Sequence, residues 1–369
     1  MRTLSIVGAR PQFVKIAPVC RAIQRRNAQG GERIDDLIVH TGQHYDPGMS
    51  DVFFQELDIP HAGIHLGVGS GSHGQQTARM LEGIERHILE HKPDAVIVYG
   101  DTNSTVAGAL AAAKLHIRVV HVEAGLRSFN RLMPEEINRV ATDHMSDLLL
   151  APTPTAMRNL AAEQLGERSV YTGDVMFDAV LHARERAGES SQVLERLGLE
   201  THGYGVVTLH RAENTSASLL REVLATLDEV ARSHIRLVFP VHPRTARMLR
   251  EELADWKPVE RLQVIEPLGY LDMIGLVDAA RLVLTDSGGL QKEAFFLGVP
   301  CVTLRTETEW VETVQGGGNV VTGVARGPVT AAVASWLTMP ARPTFGDGHD
   351  APFGHGHAAD EIVQALAKG

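Results

Sequence analysis

Residues 94–126 read DAVIVYGDTNSTVAGALAAAKLHIRVVHVEAGL, and this stretch decides the fold class. Its two ends, 94–99 and 117–122, are short, apolar and rich in β-branched residues, which is typical of buried strands. The segment between them, 103–115, predicts a helix. A helix that joins two nearly continuous apolar strands is the connection found in parallel sheets covered on both faces. The stretch therefore predicts an α/β fold.

The same alternation of strand and helix continues outward from this stretch in both directions. Further strands are predicted at 3–7, 35–40 and 147–151, with helices at 14–26, 73–91, 134–145 and 153–164. After about residue 172 the pattern restarts, with strands at 205–209, 236–239, 262–265, 281–285, 300–304 and 319–321. The restart predicts two doubly wound domains, 1–172 and 173–353, with a hinge at 173–175 and a last helix at about 358–367.

Composition excludes several classes of protein. The chain has 369 residues, of which 44% are hydrophobic and 22% charged, as is usual for a globular enzyme of two domains. A formal net charge of −10 argues against nucleic acid or an anionic membrane as a partner. No apolar run approaches the roughly 18 residues that span a bilayer. With only two cysteines, Cys20 and Cys301, there is no disulfide framework, and we expect a cytoplasmic protein.

Polar residues directly after the predicted strands are the candidates for function, because open α/β sheets bind ligands beyond the carboxyl ends of their strands. Gly8 permits a tight turn after the first strand, and the helix that follows brings positive charge to the same edge. The side chains that this rule selects are Arg10, Lys15, Asp101, Glu123, His210, Arg211 and His242.

The segment TDSGGLQKEA, 285–294, predicts an anion site in the second domain. A strand there runs into Ser287, Gly288 and Gly289 and then into a helix, so backbone N–H groups and the positive end of the helix dipole lie above the sheet. Two glycines let a phosphate approach the backbone. Glu293, one turn later on the same helix face, is placed to accept hydrogen bonds from ribose hydroxyls. The alternative is a plain glycine-rich turn with Glu293 in solvent.

Three carboxylates in the first domain are candidates for acid–base chemistry. Asp101 has a simpler alternative, since either it or Thr102 could cap the helix at 103–115. Glu123 follows a buried strand, where burial raises the pKa of a carboxyl unless Arg127 or His121 offsets it. Glu135 begins a helix after a proline, and its alternative is an exposed ion pair with Arg139 four residues later. Together, however, the three acids beside Arg139 at one sheet edge favour acid–base work.

Two further patterns are not expected to be sites. GSGSHG at 69–74 satisfies G-x-G-x-x-G, but it does not lie in the first strand-to-helix turn and is better explained as a loop that leads into a helix. The tail HDAPFGHGH contains His349, His355 and His357 without a cysteine or carboxylate at ligand spacing. We therefore predict no metal site.

The chain resembles the non-hydrolysing UDP-N-acetylglucosamine 2-epimerase family over nearly its whole length. The segments that carry the resemblance are GARPQFVK, HTGQHYD, GDTNSTVAGALAA, HVEAGLRS, MPEEINR, TLHRAEN, PVHPRT, TDSGGLQKEAFFLGVPCVTLR and TEWVET. The resemblance implies the GT-B architecture, in which two Rossmann-like domains flank a central cleft, usually as a homodimer. It also implies that the C-terminal helix, 354–369, packs back on the first domain.

The resemblance further implies interconversion of UDP-GlcNAc and UDP-ManNAc through elimination of UDP to 2-acetamidoglucal and readdition. This route needs a base near C2, an acid for the other face and stabilisation of the departing diphosphate. Matched position by position, the family's catalytic set corresponds to Asp101, Glu123, Glu135, Arg139 and His210. The residues for the UDP-sugar are Arg10, Lys15, His242, Ser287, Gly288, Gly289 and Glu293. Gln43, His44 and Arg211 would contact an allosteric UDP-GlcNAc. No cofactor or metal is implied.

Several alternatives to this substrate and reaction remain open. GARPQF, TGQHYD, GDTNST and LRSFNRLMPEEINR also resemble a branch that includes epimerases of UDP-2,3-diacetamido-2,3-dideoxy-glucuronate. The extra carboxylate of that sugar would need another cation, which Arg131 or Arg127 could provide. A GT-B glycosyltransferase, a hydrolysing epimerase and a non-catalytic nucleotide-sugar sensor would use a similar nucleotide site.

Overall fold

The computed structural model describes residues 1–43, 54–209, 217–341, 345 and 351–368 of the chain. Its described part contains two parallel sheets with helices on their faces, which confirms the predicted α/β class. Contacts within the chain divide it into two compact units, and the divisions lie at 179/180 and 351/352.

The first unit contains residues 1–179 and 352–369 and is built on a seven-stranded sheet. Its strands are β1 (Arg2–Val7), β2 (Asp35–His40), β3 (Ile64–His65), β4 (Ala95–Tyr99), β5 (Arg118–Val122), β6 (Leu148–Ala151) and β7 (Ser169–Tyr171). They follow the order β3-β2-β1-β4-β5-β6-β7, with every pair parallel. This is the order of a doubly wound sheet, which changes direction between β1 and β4.

Six described α-helices begin within residues 1–179 of the first unit. They are α1 (Arg10–Ala28), α2 (His73–His91), α3 (Asn103–Lys114), α4 (Pro134–Met145), α5 (Pro154–Ala162) and α6 (Val175–Ser190), the last of which continues into the second unit. Small residues bring α3 close to the sheet, since a Cβ on Gly108 would lie 2.9 Å from Val98 Cγ1 on β4. The start of α3 is thereby held beside the end of β4.

The second unit, 180–351, repeats the plan with a six-stranded sheet. Its strands are β8 (Tyr204–Thr208), β9 (Arg236–Pro240), β10 (Leu262–Ile265), β11 (Leu282–Thr285), β12 (Cys301–Thr303) and β13 (Asn319–Val321), in the order β10-β9-β8-β11-β12-β13. The helices that follow α6 in this unit are α7 (Val193–Leu197), α8 (Ala217–Ser233), α9 (Pro243–Glu251), α10 (Tyr270–Asp278), α11 (Gly288–Phe296), α12 (Val311–Gln315) and α13 (Arg326–Thr338).

The last helix, α14 (Ala358–Ala367), packs within the first unit. The carboxylate of Asp178 accepts hydrogen bonds from the backbone N–H groups of Ala358 and Ala359 at its start. Arg25 of α1 forms an ion pair with Asp360, and Arg118 donates to the backbone carbonyl near its end. The predicted domain boundary at 172/173 lies just before α6, whereas the compact unit extends into that helix.

The described helices include no candidate for a membrane span. None of them combines the length and the apolar character needed to cross a bilayer.

Candidate active site

The turn after β4 carries Asp101 at the carboxyl edge of the first sheet. Gly100 takes a left-handed conformation there, with φ of 63°, which turns the chain sharply out of the strand. Thr102 is the N-cap of α3, and its hydroxyl accepts from the N–H of Thr105 at 3.3 Å. The cap is therefore Thr102, and the carboxylate of Asp101 remains for other contacts.

Asp101 is held by helix α4. Its Oδ2 lies 2.5 Å from Nη2 of Arg139, and its backbone carbonyl accepts from the side-chain amide of Asn138 at 3.0 Å. The guanidinium of Arg139 is 5% exposed and also lies 3.3 Å from Glu136 Oε2. A half-buried acid is thus joined to a buried cation at the end of a central strand.

Glu123, directly after β5, is buried and adopts a left-handed conformation with φ of 72°. For a residue with a side chain, such a conformation costs about 1–3 kcal/mol and persists only where the surroundings enforce it. Its Oε1 lies 2.5 Å from Nζ of Lys15 on α1. The sequence named Arg127 and His121 as groups that could offset its burial; in the structure both of these side chains contact Asp143, and Lys15 is the cation that contacts Glu123. Lys15, predicted for the UDP-sugar, is engaged by Glu123.

Glu135 and Glu136 have different environments at the start of α4. Glu135 is exposed, whereas Glu136 is 3% exposed. Glu136 accepts from the backbone and hydroxyl of Ser128 and from the backbone of Phe129, each at 2.9 Å. The alternative prediction of an exposed Glu135–Arg139 pair is wrong, since the described ion pair of Arg139 on this helix is with Glu136.

A buried network that the sequence did not suggest lies beneath these acids. His121 on β5 contacts Asp143 on α4 at 2.7 Å, and Asp143 contacts Arg127 at 2.7 Å. Burial would raise the pKa of Asp143, but the hydrogen bond and charge of His121, and then those of Arg127, hold it below its usual range. Burial would lower the pKa of Arg127, but its bonds to Glu163 and the charge of Asp143 raise it. The charged forms of both are thereby favoured.

A sequence signal for this network existed in the spacing along α4. The buried residues of α4 are Glu136, Arg139, Thr142 and Asp143. Their separations of three and four identify the helix face that is turned inward, and that face is polar and ionisable.

In the second unit, the predicted anion turn opens helix α11. Ser287 is its N-cap, and the hydroxyl accepts from the N–H of Leu290 at 3.3 Å. A Cβ on Gly288 would lie 2.5 Å from Glu309 Oε1, whereas a Cβ on Gly289 would meet, among the described residues, only the Ser287 hydroxyl, at 3.8 Å. The described part of the chain therefore leaves the approach to Gly289 uncovered. Glu293 is half-buried one turn later.

The remaining predicted residues are placed as follows. Arg10 is half-buried as the first residue of α1, and His242 is the exposed N-cap of α9, accepting from the N–H of Arg244 at 3.3 Å. The side-chain oxygen of Gln43 accepts from the backbone and hydroxyl of Ser104, at 3.0 and 2.8 Å. His44, His210 and Arg211 lie outside the described residues.

The two patterns set aside by the sequence have simple structures. Ser72, within GSGSHG, is the N-cap of α2, so this segment leads into a helix as predicted. His357 directly precedes α14. In the described ranges, His87, Glu90 and His91 on α2 form a group with ligand atoms within 4.8 Å of one another, whereas His355 and His357 belong to no such group.

The chain contains two doubly wound parallel sheets, which define an α/β protein of the Rossmann-like, ligand-binding class. The carboxyl edge of the first sheet carries two carboxylates paired with cations, and that of the second carries the Ser-Gly-Gly turn. Residues 26–367 match the family described as UDP-N-acetylglucosamine 2-epimerase. The chain belongs to the UDP-N-acetylglucosamine 2-epimerase family, which confirms the resemblance found in the sequence.

Individual relatives are similar to the chain over its full length. A UDP-2,3-diacetamido-2,3-dideoxy-D-glucuronate 2-epimerase of Pseudomonas aeruginosa is 47% identical, with 100% of both chains covered. A UDP-N-acetylglucosamine 2-epimerase homolog of Methanococcus maripaludis is 46% identical, with 99% of both covered. The crystal structure of Methanocaldococcus jannaschii UDP-GlcNAc 2-epimerase in complex with UDP-GlcNAc and UDP has a TM-score of 0.90 at 41% identity, with 100% of both chains covered.

Proposed function

We propose that this chain is an isomerase that inverts C2 of a UDP-N-acetylhexosamine and interconverts UDP-GlcNAc and UDP-ManNAc. The observation that carries the proposal is the pairing of Asp101 with Arg139 and of Glu123 with Lys15 at the ends of adjacent strands β4 and β5. Two carboxylates held by buried cations at one sheet edge suit proton transfer to and from a bound sugar.

The proposed reaction passes through an unsaturated sugar, because the C2 proton of the substrate is not acidic. A base removes that proton while the bond between C1 and the UDP oxygen breaks, which gives 2-acetamidoglucal and UDP. A second acid then returns a proton to the opposite face of C2, and the UDP oxygen bonds C1 again. Asp101, Glu123 and Glu135 are the proposed base and acid, with Arg139 as the partner of Asp101 and His210 as a further participant.

The proposed role of the second unit is to bind the nucleotide diphosphate. The Ser287–Gly289 turn offers a helix N-terminus with an open approach at Gly289, and Glu293 lies one turn further along for ribose hydroxyls. Arg10 and His242 would add positive charge or hydrogen-bond donors for the departing phosphate.

A second candidate substrate is UDP-2,3-diacetamido-2,3-dideoxy-glucuronate, which the 47% identity to the Pseudomonas aeruginosa relative favours. Its sugar carboxylate would need a cation. Arg127 is committed to Asp143 and Glu163, with its side chain 1% exposed, whereas Arg131 is exposed. Arg131 is therefore the residue we assign to that carboxylate, and Arg131→Gln should raise KM for the uronate more than for UDP-GlcNAc.

Incubation with each UDP-sugar in deuterated water tests the reaction. Deuterium at C2 of recovered substrate and of the C2 epimer supports the elimination route, and the sugar that reacts identifies the substrate. Free ManNAc with UDP would instead indicate a hydrolysing epimerase. Transfer to an added acceptor would indicate a glycosyltransferase, and binding without turnover would indicate a sensor. Any of these three results contradicts the proposal.

The cellular compartment and the oligomeric state of the enzyme belong to the same proposal. We expect a cytoplasmic homodimer with UDP-sugar as its partner, and light scattering would test the dimer. The thiols of Cys20 and Cys301 are free and buried, which a reducing compartment maintains.

Gln43, His44 and Arg211 are the proposed contacts of an activating UDP-GlcNAc. A hyperbolic rate curve for UDP-ManNAc that is unaffected by added UDP-GlcNAc would contradict activation.

A further inference from the structure

The imidazole of His121 contacts two hydrogen-bond acceptors in the interior of the first unit. Its Nε2 lies 2.7 Å from the backbone carbonyl oxygen of Gly100, and its Nδ1 lies 2.7 Å from Asp143 Oδ1. A carbonyl oxygen only accepts, so Nε2 carries a hydrogen. The other oxygen of Asp143 accepts from the guanidinium of Arg127 at 2.7 Å and from the N–H of Gly125 at 3.1 Å, so this carboxyl is an ionised acceptor beside a permanent cation. Both ring nitrogens of His121 must therefore donate, and the ring is an imidazolium.

The second oxygen of Asp143 binds the chain that follows Glu123. Its Oδ2 accepts from the N–H of Gly125 at 3.1 Å and from Arg127 Nη1 at 2.7 Å. One carboxylate on α4 thus contacts the backbone two residues after Glu123 directly. Asp143 is also linked, through His121, to the backbone carbonyl of Gly100, the residue before Asp101.

The charges of this network balance, which makes a buried imidazolium tolerable. Arg127 extends the network to Glu163 by two parallel hydrogen bonds of 2.7 Å. His121 and Arg127 therefore face two anions, Asp143 and Glu163, and the exposed His144 lies 3.2 Å from Glu163 Oε2 at the outer end of the network. The side chains of His121 and Asp143 are both 0% exposed, and buried charges persist when they are paired and hydrogen-bonded in this way.

We propose that His121, doubly protonated and paired with Asp143, is a positioning residue for the proposed epimerase reaction. The pair fixes the main chain on both sides of the site, at Gly100 and at Gly125, and so holds Asp101 and Glu123 at a constant separation. Its effect on the rate rests on the proposed function, whereas its protonation does not. A displacement of a reacting group by about 1 Å can reduce the rate about 10²-fold.

Nitrogen-15 NMR of the wild-type protein, labelled in its histidines, tests the protonation. We expect both ring nitrogens of His121 to show an attached hydrogen at about pH 7.5, where a free imidazole is mostly neutral. The signal of His121 is assigned by its loss in His121→Asn. One protonated and one bare ring nitrogen at this pH would overturn the proposal, whichever reaction the protein catalyses.

The variant Asp143→Asn tests the positioning role, because an amide cannot accept hydrogen bonds at both of its atoms. We expect kcat to fall by about 10²-fold while KM for the UDP-sugar changes by less than about threefold. The matched control is Asp147→Asn, which removes a carboxylate that accepts from Val119 N at the other end of β5, and it should retain the wild-type kcat. Equal kcat values for the two variants would overturn the positioning role. If Asp143→Asn fails to fold, the wild-type spectrum still decides the protonation.

Discussion

Gly100 lies beneath the ion pair of Lys15 and Glu123. A Cβ at this position would be 2.9 Å from Lys15 Nζ and 3.5 Å from Glu123 Oε1, and φ is 63°. Glycine therefore serves two purposes here, since it adopts the left-handed turn without strain and leaves room for the two charged groups. Both groups belong to the proposed acid–base edge of the sheet.

Replacement of Gly100 by alanine should thus affect stability and activity together. The left-handed conformation alone costs about 1–2 kcal/mol for alanine, and displacement of Lys15 should reduce kcat by about 10²-fold. Gly67→Ala is the matched control, because Gly67 has φ of 61° and no atom of the described residues lies within 4 Å of an added Cβ. Urea unfolding and kcat would be measured for both. A normal kcat in Gly100→Ala would show that the space above Gly100 is not needed.

At the residue scale the sequence identified the charged groups but not their partners. Glu123 was selected because it follows a buried strand, yet its partner Lys15 lies 108 positions earlier in the chain. Which side chain reaches a carboxylate across a sheet depends on packing and rotamers, which no spacing rule contains. The left-handed backbone of Glu123 is a similar case, since glutamate has no preference for it.

Helix α4 is the element that organises the acid edge of the first unit. Asn138, Arg139 and Asp143 all project from it to the turns after β4 and β5. The two adjacent glutamates at its start lie in different environments. Glu136 is buried against Ser128 and Phe129, whereas Glu135 is exposed. An i, i+4 rule cannot distinguish them, whereas the direction of the helix face does.

The two glutamates should therefore respond differently to conversion into glutamine. Glu136→Gln should lower the free energy of unfolding by about 1–3 kcal/mol, because it removes a charge that accepts three partly buried hydrogen bonds. Glu135→Gln should alter stability by less than about 0.5 kcal/mol but reduce kcat by about 10²–10⁴-fold. Urea titration and steady-state kinetics on the pair provide the measurement. Full activity in Glu135→Gln would exclude Glu135 as an acid or base.

Helix α11 permits a similar comparison at two adjacent glycines. Gly289→Ala should preserve or slightly raise stability, since alanine is favoured over glycine in a helix by about 0.5–1 kcal/mol and the space is open. It should nevertheless weaken UDP binding, because the new methyl group occupies the proposed approach of the phosphate. Gly288→Ala should destabilise the protein through contact with Glu309 and Trp310. Calorimetric titration with UDP and thermal unfolding would test both. Undiminished UDP affinity in Gly289→Ala would contradict the proposed phosphate position.

Most elements were predictable from sequence, and the exceptions share a cause. The strand at 35–40 and the helix at 73–91 were predicted with the bounds that the structure shows. The short strands β3 and β7, at the two edges of the first sheet, were missed. Strands of two or three residues have too few positions to show a periodicity, so β3 and β7 gave no signal, whereas the equally short edge strand β13 was predicted at 319–321.

Across the whole molecule, the two units carry different parts of the proposed chemistry. Asp101 and Glu123, each paired with a cation, belong to the first unit, and the Ser-Gly-Gly turn belongs to the second. The sequence could predict this division, because each strand end could be read locally. It could not predict how ionisation is distributed within each unit, since that depends on which carboxyls become buried.

Asp36 on β2 links the stability of the protein to pH. Its Oδ1 accepts from the hydroxyls of Thr3 at 2.6 Å and Ser5 at 3.0 Å, while Oδ2 is shielded from solvent. Burial raises the pKa of Asp36 from 3.8 to about 6, although these hydrogen bonds oppose the shift. Because the folded state binds this proton more tightly than the unfolded chain does, the stabilisation is present below about pH 4. It is lost as pH rises through about 6.

Asp36→Asn removes this dependence, so its stability relative to wild type should improve as pH rises. The full effect of the shift is about 3 kcal/mol, of which about 1 kcal/mol falls between about pH 5 and about pH 7.5. Asp35→Asn is the matched control, because Asp35 is the adjacent, exposed residue of the same strand and pairs with Arg33. Urea unfolding of both variants and wild type at the two pH values gives the comparison. The free energy of unfolding of Asp36→Asn minus that of wild type should increase by about 1 kcal/mol from the lower to the higher pH. The same quantity for Asp35→Asn should stay constant. A constant difference for Asp36→Asn would mean that the carboxyl of Asp36 in the wild type is already ionised at about pH 5, in conflict with the shielding of its Oδ2 from solvent.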